Sequence, residues 1–148
     1  MKYFSWAKIK GFFDKYLLHT TESNLCLALS MAFGVFMGII PAWGFQMILT
    51  AFLAHFLKLN KIIALLFTNV SFYPIIPFLV YFCIYIGSYA MGTEFTLTLA
   101  EATIDKAKEC VMQYLIGSLV VASIASAITF VIAYPLLKAF RKVRSERS

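Results

Sequence analysis

From Leu25 to Met91 the chain contains no aspartate, glutamate or arginine. Lys58 and Lys61 are the only residues of fixed charge in that span, and they divide it into apolar stretches at 25–57 and 62–91. A third stretch follows at 111–137. Hydrophobic residues make up 61% of the 148 and charged residues only 14%, whereas a soluble domain is nearer 45–50% apolar and about 25% charged. A domain this small buries only part of its surface on folding, so apolar content of this order requires lipid as solvent. The expected class is an all-α membrane protein.

A simple spanning helix takes about 20 residues. The stretch 25–57 is too long for one span and too short for two comfortable ones. It is also interrupted by Gly38-Ile-Ile-Pro41-Ala-Trp-Gly44-Phe-Gln46, where proline disfavours helical geometry in the residue before it. The halves have roughly 16 and 13 residues, or about 24 and 20 Å at 1.5 Å per residue. Neither crosses a hydrocarbon core of about 30 Å. A re-entrant helical hairpin is the economical reading, and two short, tilted spans in a thinned bilayer are the alternative.

The stretch 62–91 is broken too, by Thr68-Asn69-Val-Ser71-Phe-Tyr-Pro74-Ile-Ile-Pro77. Irregular backbone at membrane depth must be sheltered by protein or line a wet cavity, because lipid cannot satisfy its hydrogen bonds. The second break is therefore expected to face inward, toward the first. Only 111–137 reads as one regular spanning helix.

Small residues recur every fourth position at Ser30, Gly34 and Gly38, and again at Ser118, Ala122 and Ser126. Such ladders let helix backbones approach closely in lipid, where dispersion has to replace the hydrophobic effect. Whether the partners lie within one chain or in a second copy stays open at this stage. In residues 1–20, Trp6, Ile9, Phe12, Phe13, Tyr16 and Leu17 recur at helical spacing, with lysines mostly on the other side. That pattern predicts an amphipathic helix in the interface of an anionic leaflet, or packed on the rest of the protein.

Charge sets the expected topology. Lysines precede the first stretch, Lys58 and Lys61 separate the first two, and Lys138, Arg141, Lys142, Arg144 and Arg147 form a basic tail at 138–148. The segment 92–110 is instead net acidic, with Glu94, Glu101, Asp105 and Glu109 against Lys106 and Lys108. By the positive-inside rule both termini and the Lys58–Lys61 turn lie in the cytoplasm, and 92–110 lies outside. The net charge of +6 is thus read as topology, with no nucleic-acid role. No phosphate-binding loop, zinc motif, nucleophile elbow or close carboxylate pair occurs, so neither an enzyme nor a metal or cofactor is expected. Cys26, Cys83 and Cys110 lack metal-ligand spacing and read as small hydrophobes. His55 is a weak ligand candidate, close to Lys58 and so to an interface.

The run Ala28-Leu-Ser-Met-Ala-Phe-Gly34-Val-Phe-Met-Gly38-Ile-Ile-Pro41-Ala-Trp-Gly44-Phe-Gln46 resembles the opening of the DUF2062 membrane proteins. Leu53 to Asn60, Thr68-Asn69-Val-Ser71, Tyr85-Ile-Gly87-Ser88 and Gly117-Ser118 continue the likeness across 21–137. One departure stands out: the family places proline directly after the break asparagine, whereas Val70 follows Asn69 here. The resemblance implies a small bacterial membrane domain, sometimes joined to glycosyltransferase or methyltransferase domains, and no established activity.

Two functional expectations follow. A half-helix that begins inside the membrane presents unpaired N–H groups and the positive end of its dipole, and transporters build substrate sites at such breaks. The first expectation is therefore binding or transport of an amphipathic substrate, such as a lipid-linked phosphate, at Pro41, Trp43, Gly44, Gln46, Thr68, Asn69 and Ser71. The same polar residues suit capping of their own breaks. The second expectation is a non-transporting subunit of the bacterial cytoplasmic membrane that positions a partner enzyme. Membrane lipids, a second copy or another membrane protein are the expected partners.

Overall fold

The computed structural model describes residues 11, 15, 21–40, 44–69, 76–94 and 109–147. The described elements are helices α1 (Asn24–Ile39), α2 (Gln46–Phe56), α3 (Lys61–Thr68), α4 (Ile76–Met91) and α5 (Val111–Arg147). No strand occurs among the described residues, so the chain folds into the all-helical class that its sequence indicates. The interfacial helix expected in 1–20 falls almost wholly outside the described residues, as does most of 92–110.

The helix ends follow from local chemistry. Ser23 starts α1, its hydroxyl accepting from the Cys26 amide at 3.1 Å. Ile40, just past the end of α1, is extended (φ −68°, ψ 134°), as the residue before a proline prefers to be. Asn60 starts α3 by accepting from the amides of Ile62 at 3.1 Å and Ile63 at 3.2 Å. Gly92 (φ 66°) closes α4 in the left-handed conformation that glycine tolerates, and Thr93 N–H donates back to the Ser88 carbonyl at 3.0 Å.

The apolar part of α5, Val111–Val143, is the one described helix long and apolar enough to cross a membrane. Beyond it the sequence suggests a basic tail, whereas α5 continues in helical form to Arg147 with Pro135 inside it. Lys, Ala, Arg and Glu favour helix there. The extension is also tied down, because the Arg141 guanidinium donates to the Glu22 carbonyl at 2.7 Å.

That bond begins an antiparallel pairing of α1 with α5. Leu27, Ala28 and Met31 share a buried cluster with Ala133 and Leu137. At the far end of α1, Ile39 shares another with Ala122, Tyr114 and, from α4, Val80, Cys83 and Ile84. The tip of α1 therefore lies level with the middle of α5. From there α2 turns back, and the turn after it returns the chain to the Glu22 end, where Asn60 Nδ2 donates to Glu22 Oε2 at 2.9 Å.

Helix α3 then repeats the path of α1. The Asn60 amide donates to Ser30 Oγ at 2.8 Å. A Cβ on Gly34 would meet the Ala64 carbonyl oxygen and lie 2.7 Å from Phe67 Cβ, and one on Gly38 would lie 2.7 Å from the Thr68 carbonyl oxygen. Each step advances four residues in both helices, so α1 and α3 run parallel in backbone contact. Finally α4 leaves the middle of α5 and follows it outward. Gly87 sits against the Gln113 carbonyl, and Gly117 against the Cys83 carbonyl and the Gly87 nitrogen. The absence of a side chain at both glycines lets the two backbones come together.

Candidate functional site

The described residues that flank the two chain breaks meet. Helix α1 ends and α2 begins on one side of the junction, and α3 ends on the other. Across it the Gln46 side-chain amide reaches the Thr68 carbonyl at 3.5 Å. Thr50, one turn into α2, donates to the Gln46 carbonyl at 2.6 Å. Thr68 Oγ1 lies 3.4 Å from Thr50 Oγ1 and donates to the Ala64 carbonyl at 2.8 Å. Both threonines are buried.

Glycine makes the junction possible. Gly38 allows α1 to lie on the Thr68 carbonyl, which would be covered by any side chain at 38. Gly44 takes φ 84° with nothing within 4 Å of a notional Cβ, so its role is conformational: it turns the chain into α2. That helix has Phe45 at its N-cap position and no side-chain cap hydrogen bond among the described residues. A helix N-terminus carries unpaired N–H groups and the positive end of the helix dipole.

The sequence-derived site residues divide into three groups. Gln46 and Thr68 come together. Asn69 stands beside them but turns outward: it is exposed, and its Nδ2 donates to the Leu65 carbonyl at 2.9 Å, satisfying the end of α3. Pro41, Trp43 and Ser71 lie outside the described residues. His55 is exposed in the last turn of α2, with its ring edge-on to Phe56. Among the described residues no three of His, Cys, Asp and Glu gather as a metal site would need.

The two small-residue ladders take different partners. Ser30, Gly34 and Gly38 lie along α3, and Ser30 also donates to the Cys26 carbonyl at 2.7 Å. Ser118 and Ala122 are fully buried on α5, with Ala122 in the cluster shared by α1 and α4. Ser126 is only partly buried and donates to the Ser123 carbonyl.

Sequence reasoning missed Thr50 and gave Asn60, Gly87 and Gly117 a place in the family likeness but no capping or packing role. Asn60 stands directly before Lys-Ile-Ile, the position from which an asparagine caps a helix, and could have been read that way. Cys83-x-x-x-Gly87 has small-residue spacing as well. Thr50 carries no distinguishing signal, being one hydroxyl in an apolar run.

A family model described as an uncharacterized protein conserved in bacteria, DUF2062, matches residues 11–146. The chain belongs to the DUF2062 family. No curated protein matches it, and no solved structure does. The match takes in all five helices except the last residue of α5, so the junction and the packing glycines of this DUF2062 chain are parts of the family's domain. Residues 1–10 precede the match.

Proposed function

We propose that this DUF2062 chain is a multi-pass protein of the bacterial cytoplasmic membrane that binds, and moves, an anionic amphipathic substrate at the junction of its two breaks. A lipid-linked phosphate has the matching chemistry. The observation that carries the reading is the junction itself: the described edges of the two helix breaks meet at Gln46 and Thr68, level with the middle of the one described helix of membrane length, beside the N-terminus of α2, which has no side-chain cap among the described residues. A helix N-terminus attracts anions through free N–H groups and its dipole, and transporters set broken helices at such depth for this purpose. The half-buried side-chain amide of Gln46 is the group placed there to donate to a phosphate headgroup.

The path of the chain fits the re-entrant reading. Helices α1 and α2 leave and regain the same end of α5, and their tip stops at mid-helix. Helices α3 and α4 together cover the remaining length in the manner of one broken span. The Glu22, Asn60 and Arg141 end, rich in lysine and arginine nearby, is then cytoplasmic. With the native cysteines replaced, Lys58→Cys and Ser145→Cys are expected to react with an impermeant maleimide from the cytoplasmic face only, and Glu94→Cys from the outer face only. Labelling of Lys58→Cys and Glu94→Cys from one face would reject this topology.

The substrate reading is tested by Gln46→Ala. At 3.5 Å the Gln46–Thr68 bond is long, so its loss should cost under about 1 kcal/mol of stability. Retained anionic lipid, read by native mass spectrometry of the gently purified protein, should fall roughly tenfold, as expected when a charge-assisted contact is removed. Asn69→Ala removes an amide that turns away to the Leu65 carbonyl, so it should lower thermal stability without lowering lipid retention. For Gln46→Ala, equal loss of lipid binding and thermal stability would assign the residue to capping alone.

A second reading, a subunit that positions a partner enzyme, draws on the outer face of α5. Ile124, Ile128, Val131 and Ile132 are all exposed there, and such a face accepts either lipid or a partner helix. A stoichiometric partner retained in mild detergent would favour it.

A further inference from the structure

Away from the junction, an open groove of about 390 Å³ runs between α1, the α2–α3 turn and α5. Leu29, Phe33 and Phe36 form one wall, Leu57 and Leu59 close the end near Glu22, and Ser126 lies at the other end. Almost everything that faces it is hydrocarbon. Lys58 stands between the two lining leucines, exposed and held at φ 54°. Its carbonyl is 3.6 Å from Cys26 Sγ, and Lys61 follows, also exposed, at the start of α3. The groove thus starts at a cationic turn and leads along α1 into apolar surroundings.

We infer that this groove is a second lipid site, distinct from the junction, which holds one acyl chain of an anionic phospholipid with its headgroup at the Lys58–Lys61 turn. Charge selects the occupant: the mouth is positive, the body apolar, and that polarity matches an anionic lipid entering from the leaflet on the basic side. The size agrees. Sites for small molecules span roughly 300–1,000 Å³. The site rests on the membrane placement proposed above, though not on the substrate or on which leaflet faces the cytoplasm.

The full chain is reconstituted in phosphatidylcholine nanodiscs with a minority of phosphatidylglycerol bearing a diazirine in its acyl chain, then irradiated and mapped by peptide mass spectrometry. Labelling is expected to concentrate on Leu29 to Phe36 and on the 57–59 turn. Leu29→Trp, which places an indole in the groove at a half-exposed position, should abolish it. Lys58→Glu and Lys61→Glu leave the groove open but should lower the preference for phosphatidylglycerol over an identically labelled phosphatidylcholine, by roughly fivefold for each lysine. Uniform labelling along α5, equal labelling by both lipids in the unsubstituted protein, or a cross-linked dimer with an unlabelled groove would each overturn the inference. Alkaline extraction of native membranes separates the two levels: a chain released by it would end the membrane reading, whatever the groove holds.

Discussion

Gly117→Ala is expected to open the contact between α4 and α5 and to lower the melting temperature in detergent by roughly 2–12 °C. A methyl group at 117 would collide with the Cys83 carbonyl oxygen and come within 2.9 Å of the Gly87 nitrogen. Both obstacles are backbone, so neither can rotate away as a flexible side chain would. The helices must separate, and overpacking of a tight core costs about 1–3 kcal/mol, sometimes more. Near 150 residues each kcal/mol is worth about 2–4 °C. Separation also strips contacts from Cys83 and Ile84, which are fully buried beside Tyr114. Gly117→Leu should therefore yield no monodisperse protein.

Gly87→Ala tests the same contact from the other side, since its methyl group would meet the Gln113 carbonyl. The two substitutions force apart one pair of helices, so the double variant should lose less than the sum of the singles. Gly11→Ala serves as the control, with open space around the notional Cβ; its effect should stay within about 1 kcal/mol. A Gly117→Ala protein that melts with the parent would show that α4 and α5 do not touch at this point.

The packing role of these two glycines was not legible in the sequence, whereas that of Gly34 and Gly38 was. Gly34 and Gly38 announce themselves by spacing within one helix, and spacing is a local property. Gly87 and Gly117 belong to different helices, and their meaning arises only when the chain brings 87 beside 113 and 117. For the same reason the Ser30–Gly34–Gly38 ladder could be recognised as a packing face while its partner could not be named. The register that pairs 30 with 60, 34 with 64 and 38 with 68 is a tertiary fact. The breaks themselves were legible, because proline and glycine act on the backbone of their neighbours, and so was the helical class. The polarity of the junction was legible in Gln46 and Thr68. That Asn69 would turn away to the Leu65 carbonyl was not, since an asparagine after a helix has several backbone groups within reach.

Asn60→Ala should have the other large effect, on stability and on the junction together. The asparagine side chain accepts from two amides at the start of α3 and donates to Glu22. Losing an N-cap costs about 0.5–2 kcal/mol, and losing a hydrogen bond to a carboxylate about 1.5–3 kcal/mol. A total of about 2–5 kcal/mol corresponds to roughly 4–20 °C in melting temperature. Asn60→Ser keeps an acceptor for the cap but cannot reach as far as Glu22, so it should recover about half of the loss. The distant consequence follows from register. Asn60 pins the start of α3 to Glu22 and, through its backbone amide, to Ser30; eight residues on, that register delivers the Thr68 carbonyl to Gly38 and Gln46. A loosened start lets α3 slide along α1, and the junction loses its alignment. Asn60→Ala should thus weaken anionic-lipid retention as Gln46→Ala does, but with a lowered melting temperature that Gln46→Ala lacks. If Asn60→Ala melts at a lower temperature yet keeps its lipid, the bound lipid does not depend on the alignment of the junction, and the substrate site must be sought elsewhere in the protein.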